Sequence, residues 1–218
     1  MRSMVSLRLR LALAGAVCFA PGCEHAEPAS LAACSSFQDE VSETSVMVRV
    51  SNEGEAPLYL GVDEQVCTLV PPYVIRDRSG NTLRPMNDCS GSCEVLQGLP
   101  GCGPACALSP AVRIEPGGSH ELRWEGTRVE QVAMLESCYA EQAAAAATCP
   151  QLIAARSGQY EVLVRAWSDA RCVAGACTCE GTAASCTLTG EAVVQGSWRE
   201  ATAGFTFPTE HVVHVAFD

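Results

Sequence analysis

Two runs of cysteine hold most of this chain's capacity for chemistry: Cys89-x3-Cys93-x8-Cys102-x3-Cys106 and Cys172-x4-Cys177-x-Cys179-x6-Cys186. Four thiolates brought together can bind zinc, and Cys-x-Cys recurs where soft metals are held. Neither run contains the Cys-x2-Cys step of zinc knuckles and dithiol redox catalysts, and no histidine is interleaved. The spacings suit disulfides in loops rich in Gly, Ser and Pro. Cys34, Cys67, Cys89, Cys93, Cys102, Cys106, Cys138, Cys149, Cys172, Cys177, Cys179 and Cys186 are therefore expected in disulfide bonds, with no metal and no cofactor. Spacing leaves their connectivity open. The expectation is that each loop is stapled mainly within itself, that Cys138 joins Cys149, and that Cys34 is left near Cys67.

Other reactive types are present without a catalytic pattern. His211 and His214 stand three apart on a predicted strand, so they point to opposite faces, and a shared metal would need a bulge between them. His120 and His25 carry no signature. Serine hydrolases are announced by Gly-x-Ser-x-Gly and zinc peptidases by His-Glu-x-x-His; the chain has neither, and Glu210-His211-Val212-Val213-His214 only echoes the second. All 14 basic residues are arginine, which removes Schiff-base chemistry and the phosphate-binding lysine of P-loops. Paired carboxylates for glycoside hydrolysis meet in space without local spacing, so the 25 acidic residues identify no pair. No catalytic residue is assigned, and the protein is read as non-enzymatic. A net charge of −11 argues against nucleic acid as a partner, because phosphate binding needs concentrated positive charge.

The N-terminus supplies an address. Met1 to Arg10 carries three arginines and no acid, and Leu11 to Ala20 runs uncharged into Ala20-Pro21-Gly22-Cys23. A basic start, an apolar stretch of about ten residues and a small-residue junction describe a removed export signal, residues 1–22, too short to span a bilayer. The junction resembles the lipobox of bacterial lipoproteins, which implies that Cys23 is acylated and becomes the mature N-terminus. It implies further a protein exported and lipid-anchored in the bacterial cell envelope, its membrane partner engaged through the lipid. Glu24 replaces the Asp that retains some such proteins at the inner membrane, which favours the outer one. Cysteine parity agrees. Of 14 cysteines, Cys18 leaves with the signal and Cys23 takes lipid, and the remaining twelve can pair completely.

The elements that must position these groups are predominantly strands. Residues 23–44, poor in large apolar side chains, read as a flexible tether, and residues 45–218 as a single domain. Val46, Val48 and Val50 alternate with polar neighbours and, with the turn at Asn52 to Glu55 and the run Pro57 to Leu60, predict a hairpin over 45–62. Further strands are expected at 73–77 and 82–84, at 111–115 and 120–124 around Pro116-Gly117, and at 159–167, 191–198 and 210–217. Val129 to Ala155, with its alanine run 143–147, breaks the rhythm and predicts a short helix. Seven to nine short strands describe an all-β fold with one helix, an antiparallel two-sheet sandwich with disulfide-rich loops.

Glu115-Pro116-Gly117-Gly118-Ser119, then Trp124-Glu125-Gly126, then Gly158-Gln159-Tyr160-Glu161-Val162 resembles a pattern of exported bacterial immunoglobulin-like domains, the BsuPI-type proteinase-inhibitor family among them. The resemblance implies a Pro-Gly turn leading into a strand with a buried Trp, and a Gly-x-Tyr opening a strand of the facing sheet. It carries over no inhibitory residue. The expected function is a tethered binding module for another protein or an envelope component, with loops 86–110 and 170–188 as contact surfaces. Two alternatives remain open: a protease inhibitor presenting Gln97-Gly98-Leu99-Pro100-Gly101, and an envelope glycan-active enzyme.

Overall fold

The computed structural model describes residues 31–61, 71–83, 91–99, 110–140, 148–173, 176–182, 184–190 and 192–218. Among these, thirteen strands follow in order: β1 (Val46–Asn52), β2 (Leu58–Leu60), β3 (Tyr73–Asp77), β4 (Thr82–Leu83), β5 (Val112–Ile114), β6 (Ser119–Trp124), β7 (Thr127–Val132), β8 (Cys149–Ala154), β9 (Gly158–Cys172), β10 (Thr178–Gly181), β11 (Ser185–Thr189), β12 (Ala192–Phe207) and β13 (Val212–Phe217). Two single helical turns, α1 (Leu31–Cys34) and α2 (Cys93–Leu96), accompany them. The chain is all-β. Its sheets are antiparallel apart from the parallel pair β1 and β13.

Alternation decides which faces are buried. In β1, Val46, Val48, Val50 and Asn52 are buried while the residues between them are not, and β13 repeats the pattern with Val213, Val215 and Phe217. Together with β6 they form a three-stranded sheet in the order β13-β1-β6. Opposite lies an eight-stranded sheet built on β9. β12 runs along one edge of β9 for nearly its whole length, and β3 and β2 share the other edge at different heights, leading through β5 to β11 and β10. The apolar faces of the two sheets meet in one core, where Trp124 lies 5.6 Å from Tyr160, 5.8 Å from Phe205 and 5.1 Å from Phe207 between ring centroids. Burying such a cluster supplies the dominant favourable contribution to folding.

The predicted hairpin over 45–62 is instead an arch. β1 belongs to the small sheet and β2 to the large one, where it pairs with β5 and β9. Both strands turn apolar residues to the core, but from opposite sides of it. The buried Asn52 side chain closes the arch, donating to Ala56 O at 2.8 Å and Ile114 O at 3.1 Å and accepting from Gly54 N at 3.2 Å. The turn after β5 is a second arch, because β6 crosses back to the small sheet; Gly117 N donates to Asn52 O at 2.7 Å and ties the two arches together.

The helix predicted within 129–155 is also corrected at its flanks. β7 and β8 occupy them as an antiparallel ribbon with Val132 opposite Cys149, and residues 141–147 lie outside the described residues. Alanine favours helix locally, but paired strands satisfy their backbone groups and bury Cys149 and Gln151 at once. β9 and β12 likewise extend well past the predicted 159–167 and 191–198.

These connections give the molecule two poles. β7 continues β6 beyond Trp124: Val46 stands opposite Trp124, and further back on the same segment Glu40 N donates to Leu152 O of β8 at 2.8 Å. β9 starts at that same aromatic end and runs the other way for 15 residues, roughly 50 Å at strand rise. The described part of the expected tether, 31–44, is docked rather than free. Gln151 Nε2 donates to Ser36 O at 3.0 Å and Gln38 O at 2.6 Å, and Asp39 Oδ1 accepts from Leu152 N at 2.8 Å.

Candidate functional site

At the far end of β9 the chain becomes a narrow ribbon. Cys172–Cys177 joins the end of β9 to the approach of β10, and Cys179–Cys186 joins β10 to β11. Every residue of β10 is exposed. Beneath the ribbon, Trp167, Ala111, Ala192 and Val194 form a small buried cluster with Tyr59, Ala170, Cys177 and Leu188 packed on it. Disulfides and this cluster hold the ribbon rigidly on the sandwich.

Next to it the long β9–β12 pair is interrupted once. Gln195 stands opposite Asp169 and Trp198 opposite Trp167, so β12 spends an extra residue there. Gly196 adopts φ +84°, which a side chain would resist, and Ser197 N donates to Ser168 Oγ at 3.1 Å. Such a bulge re-aims the side chain that follows it. Here that side chain is Trp198, 52% exposed, whereas Trp124 and Trp167 are each 6% exposed. The Arg165 guanidinium lies 4.5 Å from the Trp198 ring centroid and also bonds Glu200 Oε1 at 2.8 Å. On the ribbon side Gln195 Nε2 donates to Asp169 Oδ2 at 2.7 Å. An open aromatic face is thus bracketed by two hydrogen-bonded polar pairs. Sequence reasoning passed over Trp198 and Arg165; the signal was Gly196-Ser197 breaking the alternation just before a large aromatic.

The opposite pole is stapled by Cys34–Cys138 and Cys93–Cys149, with Cα separations of 5.5 and 5.1 Å. Three expected pairings are overturned: Cys138 does not join Cys149, Cys34 is not with Cys67, and Cys93 leaves its own loop. Docking of residues 36–40 on β8 brings Cys34 to Cys138, while α2 packs on β8 over Cys149. Met134, Phe37, Leu96 and Tyr139 surround these bridges. The second cysteine run does staple within itself. Cys23, Cys67, Cys89, Cys102 and Cys106 lie outside the described residues, as does most of the loop 86–110. Of the segment 97–101, Gln97 Nε2 turns inward to Phe37 O and Cys93 O, both at 3.2 Å, Gly98 and Leu99 are exposed, and residues 100 and 101 lie outside the described residues.

Concavities also mark the surface of the described residues. One of 540 Å³ runs past Glu43, Ser45, Met47, Glu121, Arg123 and His211; Ser45 and His211 line it with no hydrogen bond between them. One of 410 Å³ lies by Arg76, Asp77, Gly80, Glu161 and Gly204, and a third of 260 Å³ lies under the ribbon by Arg113 and Glu115. Glu121, Asp77, Glu161 and Glu115 in them serve structural bonds. Hydrogen bonds from Asn81 and Ser79 hold Asp77 below the usual carboxylate range, Glu161 faces Arg76 at 3.9 Å, and Glu115 binds Arg113 at 2.8 Å. Burial lowers the His120 imidazole and pushes Tyr73 up to about 12, its hydroxyl donating to Arg123 O at 2.6 Å. Asp39 is raised, first by burial and further by nearby Glu94, against the Leu152 N–H that lowers it. Both His211 and His214 are exposed, and among the described residues no three His, Cys, Asp or Glu side chains are gathered as a metal site requires. Among these residues, too, no helix is long and apolar enough to cross a membrane.

Comparison with protein-family models, with curated proteins and with solved structures finds no match to this chain.

Proposed function

We propose that the chain is an exported, N-terminally lipid-anchored binding module of the bacterial cell envelope, non-enzymatic, with an immunoglobulin-like sandwich as its scaffold. The observation that carries this reading is that all eight described cysteines are joined in four disulfides, the state favoured by an oxidising compartment. The scaffold reading is supported by Tyr160, which opens β9 beside the buried Trp124 and donates its hydroxyl to Arg156 O at 2.7 Å, four residues upstream, as a tyrosine corner does.

An anchor at Cys23 also gives the two poles different tasks. Cys34 lies eleven positions after Cys23, a reach of at most about 40 Å, and is bonded to Cys138. The Cys138 pole then faces the bilayer, and the ribbon pole with Trp198 is carried away from it toward partners. Rigid loops on a scaffold are where binding resides, and half-exposed Trp beside Arg is the composition of contact hot spots.

Two experiments test the reading. Growth with labelled palmitate is expected to label the wild type and not Cys23→Ser; label retained on the variant removes the anchor. Recovery of envelope partners by the full protein is expected to fall when residues 174–184 are replaced by a short turn or Trp198 is changed to Ala. Equal recovery by all three proteins removes the ribbon pole as the contact surface.

A further inference from the structure

We infer that the Cys179–Cys186 bridge is an exchangeable disulfide, opened by a low-molecular-weight thiol that attacks Cys179 and expels Cys186 beside Arg113; this goes beyond the binding reading. The two sulfurs of the bridge stand in unlike surroundings. Cys179 lies on β10, whose residues are all exposed, whereas Cys186 on β11 is 8% exposed. The register sets Cys186 directly opposite Arg113 of β5, and Cys179, Cys186 and Arg113 line the 260 Å³ concavity under the ribbon with Glu115, Thr182 and Ser185. Pockets for drug-sized ligands begin at roughly 300 Å³, so this one suits a small thiol.

Arg113 makes Cys186 the leaving group. One terminal nitrogen of its guanidinium binds Glu115 Oε1 at 2.8 Å, while its Nε is buried and has no hydrogen-bond partner among the described residues. A disulfide sulfur is a weak acceptor, whereas a thiolate on Cys186 offers that donor a charged one. Burial alone would raise the Cys186 thiol and slow its departure; a facing cation acts in the opposite direction. The other bridges lack this asymmetry. Cys177 packs on the Trp167 cluster, and Cys93, Cys138 and Cys149 are buried. In the exchange, the incoming thiolate sulfur bonds to Cys179 Sγ, the bond between Cys179 and Cys186 breaks, and its electron pair leaves on Cys186. A second thiolate then attacks the external sulfur of the mixed disulfide and releases Cys179. Two external thiols are thereby oxidised to one disulfide, and the bridge takes up their two electrons. Because the bridge joins residues only 7 apart, the sandwich survives its opening.

The intact, oxidised protein would be treated with 2-mercaptoethanol, which is uncharged and so is not steered by Arg113, and its thiols trapped by alkylation and mapped by mass spectrometry. Cys179–Cys186 is expected to open before Cys172–Cys177 and at least about tenfold faster than either bridge of the Cys138 pole, with the transient adduct on Cys179. R113M should slow the opening at least about tenfold, and R113K should restore most of the rate. Were Arg113 only a brace for the ribbon, R113M would loosen it and open faster. Overturning results are an adduct on Cys186, earlier opening of any other bridge, or R113M opening as fast as wild type or faster. Opening by reduced thioredoxin and not by 2-mercaptoethanol would also overturn the assignment, since the reductant would then be a protein. The adduct position and the order of opening are read on the wild type, so they decide the matter if R113M fails to fold. Failure on these counts leaves the binding module standing, because recovery of envelope partners is measured on the oxidised protein.

Discussion

The two cystine-stapled poles use the same bond for different ends. At the Cys138 pole the bridges join residues 104 and 56 positions apart and are buried with Met134, Phe37 and Leu96. At the ribbon pole they join residues 5 and 7 apart on exposed strands. Closing a long loop removes far more freedom from the unfolded chain than closing a short one: in the entropic account about 4 to 5 kcal/mol for each long bridge and about 2 for each short one. The first pair therefore welds the N-terminal segment, α2 and the β7–β8 ribbon to one another. The second shapes a projecting surface whose stability the sandwich already provides.

The largest test of this contrast is removal of whole bridges. C93A/C149A is expected to lose about 4 kcal/mol, a fall in Tm of ~10 °C or more, whereas C172A/C177A should lose about 2 kcal/mol or less. Thermal melts of the two proteins under the same oxidising conditions decide it, and equal falls would erase the distinction. Next is Gln151, buried beneath the docked segment with its amide on Ser36 O and Gln38 O. Gln151→Ala should cost about 1 to 3 kcal/mol by leaving those carbonyls unpaired. Faster hydrogen exchange confined to residues 36–40 and 150–154 would mark the Cys138 pole as the site of the loss; unchanged exchange there contradicts the docking.

Acidification should separate the poles from the body between them. His120 sits on β6 opposite Val50 with its imidazole lowered by burial, so the unfolded chain takes up the proton more readily than the folded one. Its contribution is present above the ordinary 6.5 and is lost as pH falls through that value toward the lowered folded one. Asp39 behaves oppositely. Its folded carboxyl holds a proton more strongly than the unfolded one, so the Cys138 pole tightens as pH falls through the raised value toward 3.8. Exchange protection of β1 and β6 should therefore drop on acidification while that around Leu152 rises. The smallest effect follows from the same group: Asp39→Asn keeps an acceptor for Leu152 N and should raise Tm slightly at neutral pH, with no gain near pH 4, a direction that melts of the two proteins at both pH values would check.

Much of the secondary structure was legible from period-two patterning. Val46, Val48, Val50, Val213, Val215 and Phe217 are the buried faces their alternation announces, and the β3–β4 hairpin closes at Ser79 to Asn81 as its turn residues require. The face around Trp198 was not legible, because exposure of that ring depends on a bulge against β9 and on Arg165, 33 positions earlier in the chain. Nor were the cysteine partners at the Cys138 pole, which follow from docking on β8 rather than from spacing.

By itself the sequence determined the β character, the inward and outward faces of the strands, and a cysteine complement suited to oxidation, since these depend on neighbours a few residues apart. Only the tertiary structure decided that Asn52 and Pro116-Gly117 make arches between sheets instead of hairpins, which cysteines bond, and which tryptophan meets solvent. A turn and an alternating strand read the same whichever sheet receives the strand. The choice is made by burying one shared core from both sides, and that free energy comes from residues far apart in the chain.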